Sequence, residues 1–171
     1  NVTLQAATLV TNSNSGTVYQ DLQYAYTADG NLTTIADHMV AGGAGDQAMT
    51  YDSLDRLTEA EGPYGTGGAT ASITYSYNEI GNLTANSQVG TYTYPTSGSS
   101  SVRPHAVSAA GSNSYTYDAN GNMTAGAGRS FTYNLENKPL TITIGGQTTT
   151  FVYDGDNGRV KKIVGTTTTR Y

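Results

Sequence analysis

Tyr75-Ser-Tyr77-Asn78-Glu-Ile-Gly81-Asn82-Leu83-Thr84 decides the fold of this chain, because the phrase recurs along its length. Close copies are Tyr24-Ala-Tyr26-Thr-Ala-Asp-Gly30-Asn31-Leu32-Thr33 and Tyr115-Thr-Tyr117-Asp118-Ala-Asn-Gly121-Asn122-Met123-Thr124. Looser ones are Tyr51-Asp52-Ser-Leu-Asp55-Arg56-Leu57-Thr58 and Phe131-Thr-Tyr133-Asn134-Leu-Glu-Asn137-Lys138. Phe151-Val-Tyr153-Asp154-Gly-Asp-Asn-Gly158-Arg159-Val160 reads as a copy with one residue inserted before its glycine. Tyr92-Thr-Tyr94-Pro95 is a decayed copy, and Tyr171 falls where another would begin. Anchored on the second aromatic (Tyr26, Tyr51, Tyr77, Tyr94, Tyr117, Tyr133, Tyr153), the spacings are 25, 26, 17, 23, 16 and 20. That elasticity excludes a fixed-period solenoid. It suits a meander of hairpins, with insertions expected in the loops opposite the phrase.

Aromatics at i and i+2 share one face of a strand. In Asp/Asn-x-x-Gly the side chain accepts turn N–H bonds, while glycine supplies a left-handed backbone. Asp55 and Asn137 replace that glycine with residues that tolerate the same conformation. Each phrase therefore reads as a β-hairpin with a four-residue turn, and Leu32, Leu57 and Leu83 return beside the tyrosine face. Leu140 to Phe151 alternates, turns on Gly145-Gly146 and alternates again, giving the opposite connection. Residues 36–48, 62–71 and 95–101 read as loops, and no segment has helical periodicity. Seven hairpins predict about fourteen strands in an all-β antiparallel meander, a single repeat segment over 1–171. A strip that long must curve or spiral. Its bare edges call for cover by neighbouring repeats or by another copy.

Composition agrees. The 171 residues include 14 tyrosines, 2 phenylalanines, 28 threonines and 21 glycines, with 12% charged residues against about 25% in ordinary domains. The absence of cysteine excludes disulfides, thiolate zinc sites and a cysteine nucleophile. A net charge of −5 argues against a nucleic-acid groove. No apolar run approaches the ~20 residues of a membrane helix. The start, Asn1-Val-Thr3, is no signal peptide and lacks an initiator Met, which suggests a piece of something longer.

Candidate chemistry is weak. Asp154-Gly-Asp156-Asn157-Gly158 and Asp118-Ala-Asn120-Gly121-Asn122 resemble openings of calcium loops, but Gly165 and Arg129 stand where a bidentate Glu belongs. Turn chemistry explains both. Glu59 and Glu61 are two apart on one strand, as surface acids commonly are. His38, beside Asp37, reads as a solvated loop histidine, and His105 as a strand-entry residue. Arg159, Lys161 and Lys162 read as strand-protecting cations. Sequons at Asn1, Asn31, Asn82 and Asn122 arise largely from the repeat itself.

The phrase Tyr-x-Tyr-Asp-x-x-Gly-Asn-Leu-Thr resembles the YD repeat of the Rhs family, which includes the C component of Tc toxins and animal teneurins. Arg103-Pro104-His105-Ala106-Val107 is similar to a segment seen late in bacterial Rhs repeat regions. The likeness runs from about Tyr24 to Tyr171. It implies a sheet that spirals into a hollow shell around a toxin or other C-terminal cargo, with this chain as wall lacking plug and cargo. The expectation is a non-enzymatic structural segment of a secreted or surface-delivered bacterial protein. It would have no cofactor and no metal. Its working residues would be structural: Tyr24, Tyr26, Gly30, Tyr51, Asp52, Tyr75, Tyr77, Asn78, Gly81, Tyr115, Tyr117, Asp118, Gly121, Tyr133, Asn134, Tyr153, Asp154 and Gly158. The alternatives are an adhesion module binding glycans or a partner protein, and a self-associating repeat that forms oligomers or fibres.

Overall fold

The computed structural model describes residues 5–171, so the sequon at Asn1 lies outside the described residues. The chain divides into two compact units, Asn1–Gln88 and Val89–Tyr171. The first unit holds β1 (Thr8–Asn12), β2 (Val18–Tyr26), β3 (Leu32–Asp37), β4 (Gln47–Tyr51), β5 (Leu57–Gly62), β6 (Ala71–Tyr77) and β7 (Leu83–Asn86). The second holds β8 (Gly90–Thr93), β9 (Ala109–Ala110), β10 (Asn113–Tyr117), β11 (Met123–Gly126) and β12 (Arg129–Tyr133). It continues with β13 (Pro139–Ile144), β14 (Gln147–Tyr153), β15 (Arg159–Val164) and β16 (Thr167–Arg170). Within each unit every strand pairs antiparallel with its neighbour in sequence, so the fold is the expected all-β hairpin meander.

The expected fourteen strands become sixteen because one strand, β1, precedes the first phrase and another, β16, follows the last. Two three-residue 3₁₀ turns, Ala41–Gly43 and Thr66–Gly68, lie in segments expected to be loops and are too short to show helical periodicity. One expectation is corrected. The longest connection runs from Thr93 to Ala109 and lies at the phrase end of a hairpin, not opposite it. Its cause is Pro95. In the other turns the first residue donates its N–H to the residue four on, as Asp52 does to Arg56 (2.9 Å) and Asp118 to Asn122 (2.9 Å). Proline has no N–H to give.

Each aromatic strand is two-faced. In β10 and β12 the aromatics are half-buried and the threonine between them is exposed. The face opposite the tyrosines is a hydroxyl face, where Thr50 meets Thr58 (3.0 Å), Thr116 meets Thr124 (2.9 Å) and Thr132 meets Thr141 (2.7 Å). Almost nothing is fully buried: among the described residues the apolar core is Ala60, Ile73 and Ala110. The sheet therefore holds together with little of the layer-on-layer burial that stabilises ordinary domains.

Packing on the tyrosine face is nonetheless close. Gly126 sits opposite Tyr115, and a Cβ there would collide with the Tyr115 ring and touch the Met123 sulfur. Gly126→Ala should therefore cost about 1–3 kcal/mol by overpacking. Gly155→Ala, in a turn where a Cβ meets nothing within 4 Å, should change stability by under about 0.5 kcal/mol. Urea unfolding of the two variants checks the contrast.

Candidate functional site: tyrosine clasps and the turn row

Five of the hairpin turns are closed by the same set of bonds. Asp52 Oδ1 accepts the N–H groups of Leu54 (2.9 Å) and Arg56 (3.0 Å). Asn78, Asp118, Asn134 and Asp154 repeat this, each capping the residues two and four positions on. In the first phrase Thr27 Oγ1 substitutes, accepting from Asn31 (3.0 Å). The fourth turn residue is left-handed: Gly81 at φ +85° and Gly121 at +87°, with Asp55 at +58° and Asn137 at +59° in the same role. A register shift then follows between the two aromatic-strand residues nearest the turn, for example at Thr50/Tyr51 opposite Leu57. This is a type I turn with a glycine-type bulge.

The last turn corrects the reading of its phrase. Asn157 carries the left-handed backbone at φ +62°, and Gly158 donates to Asp154 Oδ1 (2.8 Å) as Arg56 does to Asp52. Nothing is inserted. Gly158 occupies the position after the left-handed residue, and Arg159 the position of Leu57.

The second tyrosines at positions 26, 51, 77, 117, 133 and 153 bond outside their own hairpins. Tyr51 Oη donates to Leu32 C=O (2.8 Å), Tyr77 to Leu57 (3.0 Å), Tyr133 to Met123 (2.9 Å) and Tyr153 to Pro139 (2.9 Å). In these four the acceptor is the first residue of the preceding hairpin's return strand. Tyr26 reaches Ala6 (3.0 Å) and Tyr117 reaches Val107 (2.9 Å) in the same way, so Val107 of the Arg103–Val107 segment fills that slot for the interrupted phrase. These clasps were missed in the sequence, although a signal was there. The second aromatic is tyrosine in all seven copies, whereas the first admits Met49, Phe131 and Phe151. Among the described residues the hydroxyls of Tyr24, Tyr75 and Tyr115 make no hydrogen bond. Burial, and then the charge of Asp118, raises the Tyr133 pKa above 10.0, which keeps the phenol a donor.

A second row links turn to turn. Asn31 Nδ2 donates to Asp55 (2.6 Å), Arg56 Nη1 to Asn78 C=O (3.2 Å) and Asn122 Nδ2 to Asn137 (2.7 Å). Arg103 Nη1 donates to Asp118 C=O. Arg56 also bonds Asp52 (Nε–Oδ2 2.7 Å) and lies over the Tyr77 ring at 4.7 Å. The side-chain bond from Arg56 chiefly lowers the Asp52 pKa, and the one from Asn122 chiefly lowers that of Asp118. The amides of Asn31 and Asn122 are committed to this row, and Asn82 is buried at 7% exposure, so these sequons are structural amides.

The remaining candidates fall apart as sites. The leading acid of each calcium-like loop, Asp118 and Asp154, is occupied by turn N–H groups, and Asp156 supplies one of those N–H groups to Asp154. Glu59 and Glu61 lie on the hydroxyl face opposite Thr50 and Ala48. His38 pairs with Asp21 across β2–β3 at 3.4 Å, not with its neighbour Asp37, whose Oδ1 accepts from Met39. His105 stands in the turn closed by Ala106 N–H on Arg103 C=O (3.0 Å). Arg159 stacks over Phe151 (5.6 Å) and Tyr171 (4.6 Å).

No family model and no curated protein matches the sequence. Solved structures do. The chain is similar to a Photorhabdus luminescens Tc holotoxin pore with a mutated TccC3, at TM-score 0.60 and 20% identity over 92% of this chain and 9% of that one. It is also similar to a TcdB2–TccC3–Cdc42 structure (0.64, 20%, 95% and 10%) and to TcdB2–TccC3 (0.61, 20%, 95% and 10%). The chain thus has the fold of a stretch of the Tc-toxin chains to which its repeat phrase points, and spans about a tenth of their length.

Two measurements test the site. Tyr77→Phe should lower stability by about 0.5–1.5 kcal/mol, the net value of one hydrogen bond. Tyr75→Phe should change it by under about 0.5 kcal/mol. The second concerns acid. Asp52 and Asp118 have folded pKa values below the ordinary 3.8, so their stabilisation is full above that value and is lost as pH falls through the folded values. Urea midpoints should drop below about pH 4. The drop should be smaller in a variant carrying Asp52→Asn and Asp118→Asn, because asparagine caps the same turns at positions 78 and 134 without titrating.

Proposed function

We propose that the chain is a non-enzymatic wall segment of a secreted bacterial Rhs/YD-repeat protein, a stretch of sheet that separates an enclosed toxin or other cargo from solvent and protease. The observation that carries this reading is the repeating clasp. Within each unit, successive hairpins are fixed to one another by a tyrosine hydroxyl, so the sheet extends laterally without needing a second layer to pack on. The fold shared with Tc-toxin chains supports the reading. So does the employment of the turn acids and amides in capping, which leaves them acting as structure. The structural residues are the second tyrosines, the turn Asp and Asn caps, and Gly30, Gly81 and Gly121, with Asn157 taking the place proposed for Gly158. Adhesion to glycans is the weaker alternative, since the second tyrosines are turned to the preceding hairpin.

The test uses the full-length parent chain. Under limited proteolysis, polypeptide downstream of the repeats should survive at protease levels that digest the same polypeptide expressed alone. Combining Tyr77→Phe with Tyr133→Phe should shorten that survival. Equal digestion rates for the free and the attached polypeptide would sink the wall reading.

A further inference from the structure

The first unit carries a built cavity at the end of its strands away from the turn row. It begins where β3 and β4 part. Their ladder ends at Ile35↔Gln47, and residues 38–46 loop out beyond it, with Gly42 at φ +71° and Gly43 at φ +72°. Asp37 is fixed in this opening. Its N–H donates to Asp46 Oδ1 (2.9 Å), its Oδ1 accepts from Met39 N–H (2.9 Å) and its C=O accepts from Val40 N–H (3.3 Å). Gly45 lies so close that a Cβ there would stand 3.0 Å from both Asp37 Cβ and Val40 Cγ2. Gln47 is fixed too. Its Oε1 accepts the Tyr64 hydroxyl (2.8 Å), and Gly62 makes room for the pair, since a Cβ there would press on Gln47 Cγ (3.0 Å) and the Tyr64 ring (3.1 Å). Gln20 Oε1 accepts the Thr11 hydroxyl (3.3 Å). By strand alternation Gln20, Leu22, Ile35, Asp37 and Gln47 share the tyrosine face.

These residues line a cavity of about 500 Å³, within the range of small-ligand sites. Leu22, Ile35 and Met39 give it apolar lining, and Tyr19, 66% exposed, adds an aromatic ring. Two amides and a carboxylate supply the polar lining. Each amide oxygen is held by a hydroxyl, which leaves the Nε2 groups of Gln20 and Gln47 as donors and Asp37 Oδ2 as an acceptor. Among the described residues none of these three groups makes a hydrogen bond.

This set selects its ligand. An anion would meet Asp37 with no cation to offset it, because Arg56 is the only lysine or arginine among residues 1–88 and is bound to Asp52 at the turn end. An ammonium group carries donors alone and would leave both amides unmatched. A sugar hydroxyl donates and accepts, so neighbouring hydroxyls answer to an amide and the carboxylate together. The C–H face of a sugar ring suits the apolar lining and the tyrosine ring. We propose that this cavity binds a neutral pyranose unit of a glycan, stacked on Tyr19 and hydrogen-bonded by Gln20, Asp37 and Gln47. Sugar binding here is independent of the wall reading. It leaves the clasps in place, because Tyr26 and Tyr51 bond at the other end of the strands.

The test is an array of neutral, sialylated and sulfated glycans probed with the full-length parent chain, followed by calorimetric titration of the neutral glycan that binds best. Tyr19→Ala and Gln47→Glu should each weaken that binding by about fivefold or more. Gln47→Glu keeps the acceptor for Tyr64 and removes only the donor. Tyr171→Ala, which removes another exposed tyrosine, should leave the affinity unchanged. None of the three should move the thermal midpoint by more than about 2 °C. Silence from every neutral glycan would overturn the site, and so would an affinity unchanged in either cavity variant. Binding that both variants weaken but that favours acidic glycans over neutral ones would overturn the assigned ligand class. Each of these results leaves the wall reading to the proteolysis test.

Discussion

The bond from a tyrosine hydroxyl to the carbonyl that starts the preceding return strand compensates for a defect the hairpins themselves create. Each left-handed turn residue is followed by a bulge, and bulges increase local twist and splay the strands beside them. The ladders between hairpins accordingly stop short of the turn end. β3 and β4 share only Thr34↔Ala48 and Ile35↔Gln47, and β11 and β12 only Ala125↔Ser130 and Gly126↔Arg129. Tyr51 and Tyr133 lie beyond those last pairs and bond across the gap. The clasp thus supplies, from a side chain, the connection that the backbone has given up. Without it the β3–β4 and β11–β12 junctions would keep two-pair ladders with little apolar burial, and only the turn row would fix the turn ends relative to one another.

The turn row follows from the same geometry. Once clasps hold successive turn ends side by side, the residue after each left-handed position lies beside the next turn. Asn31 and Asn122 use that proximity through their side-chain amides and Arg56 through its guanidinium, each with a partner in the following turn. Arg103 shows that the link does not depend on the local phrase. It stands in a loop that has lost the Asp/Asn cap, yet its guanidinium reaches Asp118 as Arg56 reaches Asn78. The segment Arg103–Val107 is in effect a repair of the interrupted repeat, restoring the turn-row donor and, through Val107, the clasp acceptor.

These residues also show what a sequence can reveal. Periodicity of two and turn chemistry depend on near neighbours, so the two-faced strands, the capping Asp and Asn, the left-handed Asp55 and Asn137 and the Gly145-Gly146 turn were all legible. Asn157 and Gly158 both tolerate the left-handed conformation, and favouring glycine misplaced the last turn by one residue. The left-handed φ of Asn157 and the hydrogen bond from Gly158 to Asp154 distinguish the two. The clasps join residues about 10 to 20 apart, outside any local pattern. Their trace was the intolerance of the second aromatic position for phenylalanine. That trace reads as chemistry only when a hydroxyl is asked to account for it.

The elastic period now has a physical cause. What must be conserved from hairpin to hairpin is confined to the turn end: the cap, the left-handed residue, the acceptor carbonyl and the hydroxyl that meets it. The other end carries no such requirement. There the connection can be Gly145-Gly146, with φ values of +56° and +81°, or the longer loops between β3 and β4 and between β5 and β6. Even at the turn end, Thr93 to Ala109 can be extruded, provided that Val107 still presents its carbonyl to Tyr117. Spacing can therefore drift while register cannot, because a one-residue slip would turn every tyrosine away from its acceptor and onto the threonine face.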